Sequence, residues 1–229
     1  ALSVFYGLSG VIGMVDGQWH AQVGDELVEQ SRYLTGDERR DKRSQALVYI
    51  QQSADKGNGD GLALLARRYY SGDVVEQNYS KAFDLAEQSS DKGSAKGMAM
   101  LAVCFYNGYG VERSYDRAFE LASKSAGMGD KRGTFCLAAC YYNGYVPSDS
   151  DRGSEDENKK EAFNLFVKAA EQGYAPAEYE AGRCLRFGWG TEQSDEHDKQ
   201  AVQYFQRACD KNYVPAMVQL GDCYYWGKG

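Results

Sequence analysis

The chain has 229 residues, 43% of them hydrophobic and 26% charged, and a formal net charge of −7. That length supports a sizeable buried core, and three prolines leave long helices open almost everywhere. An acidic chain gains nothing from counterion release, which argues against nucleic acid as the main partner, and no run reaches the roughly 18 apolar residues of a membrane span.

Residues 1–24 open with the most apolar run, Ala1 to Val15. It lacks a basic n-region and is broken by Gly7, Gly10 and Gly13, so a buried N-terminal segment, helical in part, is expected in preference to a signal peptide or lipid anchor. The missing initial Met suits a processed product or an excised fragment.

From Asp25 onward the sequence repeats. A glycine closing an aromatic-rich segment recurs at Gly36, Gly72, Gly108, Gly144, Gly188 and Gly227, at spacings of 36, 36, 36, 44 and 39. The alanine opening the next segment (Ala46, Ala82, Ala118, Ala162, Ala201) and that segment's closing residue (Gly57, Gly93, Gly129, Gly173, Asn212) follow the same series. Alanine to closing residue is always 11 residues, and closing residue to the next first glycine always 15. All length variation falls in the interval between the first glycine and the alanine. Two rigid segments joined by one elastic loop predict a stack of helix pairs. The expected units are about 25–60, 61–96, 97–132, 133–176, 177–215 and a half unit 216–229.

The first unit carries Glu29 and Gln30 where later units have Leu and a small residue, and reads as a divergent cap. Segment A then runs as LALLARRYYSG, MAMLAVCFYNG and TFCLAACYYNG; segment B as KAFDLAEQSSDKG, RAFELASKSAGMG and EAFNLFVKAAEQG. Apolar residues in B keep helical spacing, as in Ala162, Phe163, Leu165 and Phe166. The closing Gly, or Asn212, suits the left-handed residue just past a helix. Ala66, Ala102, Ala138, Gly182 and Gly221 allow close approach of A to its neighbour, and Tyr33, Tyr69, Phe105, Tyr141 and Tyr224 are assigned to the core within each repeat. In the fourth unit, Pro147 to Lys160 (PSDSDRGSEDENKK) reads as a mobile polar spacer, with phosphorylation of Ser148, Ser150 or Ser154 as the lesser alternative. The last unit contains segment A alone. An A helix without its B helix exposes an apolar face, so further sequence or a partner is expected to complete it, and the open end is also a surface for oligomerisation.

The pattern A-x-x-x-L-G-x-x-Y-x-x-G-x-G-V…K-A-x-x-x-x-x-K-A-A-x-Q-G is clearest in MAMLAVCFYNGYGV with DRAFELASKSAGMG, and in EAFNLFVKAAEQGYAPAEYEAGRCLRFGWG. It resembles the Sel-one-like repeat, a relative of the tetratricopeptide repeat, over roughly Asp25 to Gly229. The resemblance implies an all-α fold: an α-solenoid of stacked antiparallel helix pairs forming a right-handed superhelix, with segment A lining the inner, concave surface. It also implies a protein–protein interaction scaffold or adaptor that binds a peptide or protein surface in that groove. The alternatives are a regulatory or targeting segment of a larger enzyme, such as a kinase, and a structural subunit of a large assembly.

On that reading the residue after each core aromatic turns about 100° away from the core and into the groove. These residues are Tyr70, Tyr106, Tyr142, Arg186 and Tyr225, flanked by Asn107, Asn143 and Trp226, with Arg67 and Arg183 one turn earlier. Tyrosine gives contact area at little entropic cost. Asparagine pairs with peptide groups, and arginine, with Arg68, Lys96 and Arg132 nearby, receives carboxylates. A competing reading stays open, in which the tyrosines pack between repeats and the asparagines cap helix ends.

Chemistry-bearing motifs are otherwise lacking. Cys104, Cys140, Cys184 and Cys223 share one repeated position and read, with Cys209, as small buried hydrophobes. Cys136 lies one turn before Cys140, but no second pair completes a metal site. The regular paired spacing of the family's disulfide-stapled branch is absent, which favours reduced thiols and the cytoplasm over the endoplasmic reticulum lumen or secretion. His20 and His197 belong to no triad, and there is no P-loop, nucleophile elbow or dinucleotide fingerprint. Catalysis, metal and cofactor are therefore not expected.

Overall fold

The computed structural model describes residues 17–147 and 153–228. All regular structure among them is helical: α1 (Gln18–Ser31), α2 (Gly36–Asp55), α3 (Gly59–Ser71), α4 (Tyr79–Asp91), α5 (Ala95–Asn107), α6 (Tyr115–Gly127), α7 (Lys131–Tyr142), α8 (Glu155–Glu171), α9 (Ala175–Phe187), α10 (Asp195–Asp210) and α11 (Val214–Tyr225). Odd-numbered helices are the A segments and even-numbered ones the B segments. Two compact units share them: Ala1–Leu101 with Tyr109–Val111, and Ala102–Gly108 with Glu112–Gly229. In the first unit α1 packs on α2, α3 on α4, and both α1 and α2 on α3. In the second, each helix from α6 to α11 packs on the next. None of the described helices is long and apolar enough to cross a membrane.

Helix boundaries follow local chemistry. Asn58, Asn78, Ser114, Asp130, Ser154 and Ser194 cap α3, α4, α6, α7, α8 and α10 by accepting backbone N–H groups that the first turn leaves orphaned. The α9 and α11 starts have no such cap and carry Pro176 and Pro215 in the first turn instead. Each B helix is followed by a left-handed residue, and Asn212 (φ 57°) takes that place after α10 as the sequence implies.

Contacts between a B helix and the next A helix use small side chains. Ser53 fits against Gly61, Ser89 against Gly97 and Ser125 against Gly133, each so closely that an added Cβ would lie 2.1 Å from the serine Oγ. In the last two repeats the pair becomes Ala169 with Ala177 and Ala208 with Ala216, all fully buried.

The first pair departs from the expected register. Gly24 lies under Ile50, and Gly182 lies under Phe205 in the same way: an added Cβ would come within 2.7 and 2.6 Å of those side chains. Ile50 and Phe205 each stand four residues after the repeat's alanine, Ala46 or Ala201. Gly24 thus holds in α1 the place Ala66 holds in α3. It precedes its alanine by 22 residues where Ala66 precedes Ala82 by 16, and the difference is spent on extra turns at the start of the 20-residue α2. Tyr33 consequently falls beyond the end of α1 and is 64% exposed, while Leu27 joins Tyr69 around the core, so the assignment of Tyr33 to the core is corrected. Phe105 is buried as expected, whereas Tyr224 is 64% exposed because no B helix lies over it.

Two further expectations meet the structure in part. Residues 1–16 and 148–152, with Ser148 and Ser150, lie outside the described residues, while residues 18–24 form the start of α1. Half of the expected spacer is helix: Ser154 and Glu157 form a capping box, and Glu155, Asp156 and Glu157 occupy the first turn of α8, where carboxylates favour a helix N-terminus.

Candidate functional site

Along α1, Gln18, Gln22, Asp25 and Glu29 recur at intervals of four, three and four, which places them on one side of the helix. With Glu26, Gln30, Asp60 of α3 and Lys96 of α5 they line a depression of about 490 Å³ in the first unit. Asp25 anchors it. The Lys96 Nζ lies 2.8 Å from Asp25 Oδ2 and 3.3 Å from Asp60 Oδ2, and the Arg67 Nη2 lies 3.8 Å from Asp25 Oδ1. Ser94 donates to Asp60 Oδ1 at 2.6 Å. Burial works against the Lys96 ammonium, but Asp25 and then Asp60 outweigh it and raise its pKa, so the cation is secure. Carboxylates outnumber this ammonium four to one around the depression. Arg67 keeps Nε and Nη2 buried with no hydrogen-bond acceptor. Arg68 is not part of this face: it is buried and held by Asp73 at 3.1 Å, itself bound by Arg43 at 2.7 Å.

The remaining sequence-derived contact residues occupy other settings. Half-buried Tyr70 meets Tyr79 and Tyr109, whose rings stack at 4.3 Å. In the second unit Tyr106 meets Tyr115 and Tyr145, which stack at 3.6 Å. Tyr142 meets Trp189 and Phe166. Tyr70 and Tyr106 thus close a cluster with the first residue of helix B and the loop after the next A helix, while Tyr142 meets that loop and Phe166 farther along α8. Sequence reasoning missed Tyr79, Tyr109, Tyr115, Tyr145 and Trp189, although the aromatic between two glycines at 108–110 and 188–190 pointed to them.

Asn143 donates to Ala139 O and to Tyr106 Oη, both at 2.8 Å, and Asn107 donates to Val103 O at 2.9 Å, so these amides close helix ends. Arg183 pairs with Glu180 at 3.1 Å and lies 4.8 Å over the Trp189 ring. Arg186 donates to Gln219 at 3.1 Å. Tyr225 and Trp226 are exposed at the end of α11 and meet edge to face.

The second unit hides its strongest ion pair. Glu178 of α9 is fully buried and holds Arg207 and Lys211 on the same carboxylate oxygen, while Arg207 also donates to Ala170 O. All six cysteines are free thiols and lie in this unit. Burial pushes Cys104, Cys140 and Cys184 up to about 12, which keeps them protonated and unreactive at neutral pH. Among the described residues no three metal-ligating side chains gather.

With this geometry in hand, known proteins supply a frame. The Sel1 repeat family model matches residues 24–58, 59–94, 95–130, 136–174, 175–213 and 214–229. A Sel1 repeat protein from Oxalobacter formigenes superposes with a TM-score of 0.60 at 20% identity, over 91% of this chain and 77% of that one. A Pseudomonas aeruginosa protein gives 0.53 at 20% identity, over 84% and 67%. A Klebsiella pneumoniae protein gives 0.50 at 19%, over 90% and 98%. These likenesses speak for the fold alone. No curated protein matches in sequence.

Proposed function

The chain belongs to the Sel1 repeat family, whose helix-pair solenoids generally mediate protein–protein interaction, and from that premise we propose that it is a non-catalytic scaffold whose A helices bind a segment of another protein. The observation that carries this reading is the depression lined by Gln18, Gln22, Asp25, Glu26, Glu29, Gln30, Asp60 and Lys96. Its glutamines offer donors and acceptors to a peptide backbone. The Arg67 guanidinium, 3.8 Å from Asp25 Oδ1, supports that carboxylate from behind the depression. Glu26 and Glu29 at the rim favour a segment carrying Lys or Arg. The same carboxylates repel phosphate, in keeping with a protein rather than a nucleic-acid partner. Of the residues the sequence singled out for the groove, Lys96 lines this depression and Arg67 pairs with its Asp25.

The test is affinity capture with the intact chain, repeated with the double variant Glu26→Lys/Glu29→Lys. The reversal sits on the exposed side of α1 and leaves Asp25 and Lys96 in place. Its expected outcome is loss of the captured partner with helicity retained and stability lowered by about 1 kcal/mol or less, the share of the exposed Arg32–Glu29 pair. Full retention of the partner by the variant refutes the reading.

A further inference from the structure

Two phenol rings of the second unit lie flat on each other. Tyr115, the first residue of α6, and Tyr145, in the loop after α7, are parallel to within 6° with ring centroids 3.6 Å apart. The Tyr115 hydroxyl is a hydrogen-bond partner of Tyr145 and raises the pKa of that phenol. A stack whose two hydroxyls meet is head to head, so the ring carbons ortho to each oxygen face one another. Tyr106 belongs to the same cluster but meets Tyr115 and Tyr145 at 71° and 69°, an edge turned to a face. Its hydroxyl is engaged elsewhere, by Asn143, which donates to it at 2.8 Å. Tyr115 and Tyr145 are only half-buried, so the stack keeps part of its surface in solvent.

This geometry suits one kind of chemistry. A phenol that loses one electron and one proton becomes a phenoxyl radical with much of its unpaired spin on the ortho carbons, and two such radicals couple through those carbons. We propose that Tyr115 and Tyr145 are an oxidative cross-linking site, joined as dityrosine by hydrogen peroxide and a haem peroxidase. Each ring gives up one electron and one proton, and one hydrogen peroxide takes them all and leaves as two waters. A single Cε–Cε bond forms between the rings, and the hydrogens displaced from those carbons move to the oxygens and restore both phenols. Three thiols of the unit compete poorly, because burial holds Cys104, Cys140 and Cys184 protonated at neutral pH and peroxide attacks the thiolate. The new bond braces the start of α6 against the loop after α7. Tyr79 and Tyr109 of the first unit are the lesser pair: their rings are parallel to within 7°, but the centroids stand 4.3 Å apart. This site is separate from the depression on α1 and does not depend on its role.

The test treats the intact, folded chain with one equivalent of hydrogen peroxide and a plant haem peroxidase, then isolates the monomer so that links between molecules are set aside. The expected product fluoresces as dityrosine and is lighter by two hydrogens. Trypsin is expected to release the peptide Ser114–Arg117 joined to the one that starts at Gly133, with tandem mass spectrometry placing the bond on Tyr115 and Tyr145. Tyr145→Phe keeps a ring in the stack, removes the phenol, and is expected to lose most of the monomer's fluorescence, whereas Tyr79→Phe retains it. The linked chain is expected to unfold at a urea concentration higher by about 1 M, since the bond closes a long loop in the unfolded chain. Absence of the joined peptide, a bond on Tyr141 or Tyr142 as often as on Tyr145, equal fluorescence from Tyr145→Phe, or the same yield from chain already unfolded in urea each overturns the proposal. An unchanged urea midpoint of the linked chain overturns the bracing.

Discussion

In the first unit an ion cluster of the A helices borders a depression. Asp25 joins Lys96 and Arg67, with side chains between 17% and 26% exposed, and Asp25 and Lys96 line the depression. In the second unit the matching rows mix charged and uncharged residues, with Val103, Ala139, Arg183 and Asp222 at the place of Arg67 and Arg132, Pro176 and Pro215 at that of Asp60. The strong ion pair has moved between helices, where Glu178 is sealed by Arg207 and Lys211. Asp25, Asp60 and Lys96 keep part of their surface on the depression, within reach of a competing charge. A buried ion is committed to the fold, because its desolvation is offset only by the partners it already holds. The contrast separates an ion cluster that borders a depression from a carboxylate enclosed between two helices.

Alkaline pH is the largest expected lever on this contrast. Cys104, Cys140 and Cys184 rise from about 9 to about 12 on folding, so they contribute stability that is complete below pH 9 and is lost as pH climbs towards 12. The first unit has no cysteine. Hydrogen exchange followed from pH 8 upward, corrected for intrinsic rates, is expected to show the second unit losing protection first. Simultaneous loss removes the thiols from the account.

Next in size, Glu178→Ala is expected to lower stability by about 3 kcal/mol, since it leaves Arg207 and Lys211 against a hollow interior. Urea denaturation measures it. Gly182→Ala follows at about 1–2 kcal/mol, because the new methyl overlaps Phe205. Gly221→Ala, in open space, is expected to do the reverse and stabilise α11 by about 0.5–1 kcal/mol. The smallest effect belongs to Asp25→Asn, at about 1 kcal/mol or less, and it should shrink further in high salt. A loss as large as that of Glu178→Ala would erase the distinction between the two units.

Much of the fold was legible because each B helix announces itself twice, by its alanine and by its left-handed closing residue. The first pair was not legible, for a physical reason. Gly36 and Gly72 both have positive φ, yet Gly72 ends α3 whereas Gly36 begins α2. A glycine marks a backbone conformation, not a side of a helix, so matching the two slipped the register of α1 and hid the row Gln18, Gln22, Asp25 and Glu29. The acidic run at 155–157 read as spacer because composition alone does not distinguish solvated loop from a carboxylate-rich helix start. Glu178 looked like one more exposed carboxylate, since nothing local to it reveals that Arg207 and Lys211 close over it from another helix. The tyrosines were recognised as a set, but their neighbours come partly from their own B helix and partly from the loop after the next A helix, and were visible only in three dimensions.

The serine–glycine and alanine–alanine pairs at the helix junctions bear on how such an array can grow. One member of each pair sits at the end of one repeat and the other at the start of the next: Ser53 with Gly61, Ser89 with Gly97 and Ser125 with Gly133, then Ala169 with Ala177 and Ala208 with Ala216. The inherited unit that must stay intact therefore straddles the boundary between repeats. Duplication among the first three junctions, or among the last two, lengthens the array and keeps every pair matched. Transplanting a repeat from one group into the other sets a serine against an alanine at one seam and leaves an alanine facing a glycine at the other. The chain thus holds two kinds of junction, and moving a repeat between them sets a serine Oγ about 2.1 Å from a new Cβ unless a compensating substitution accompanies it.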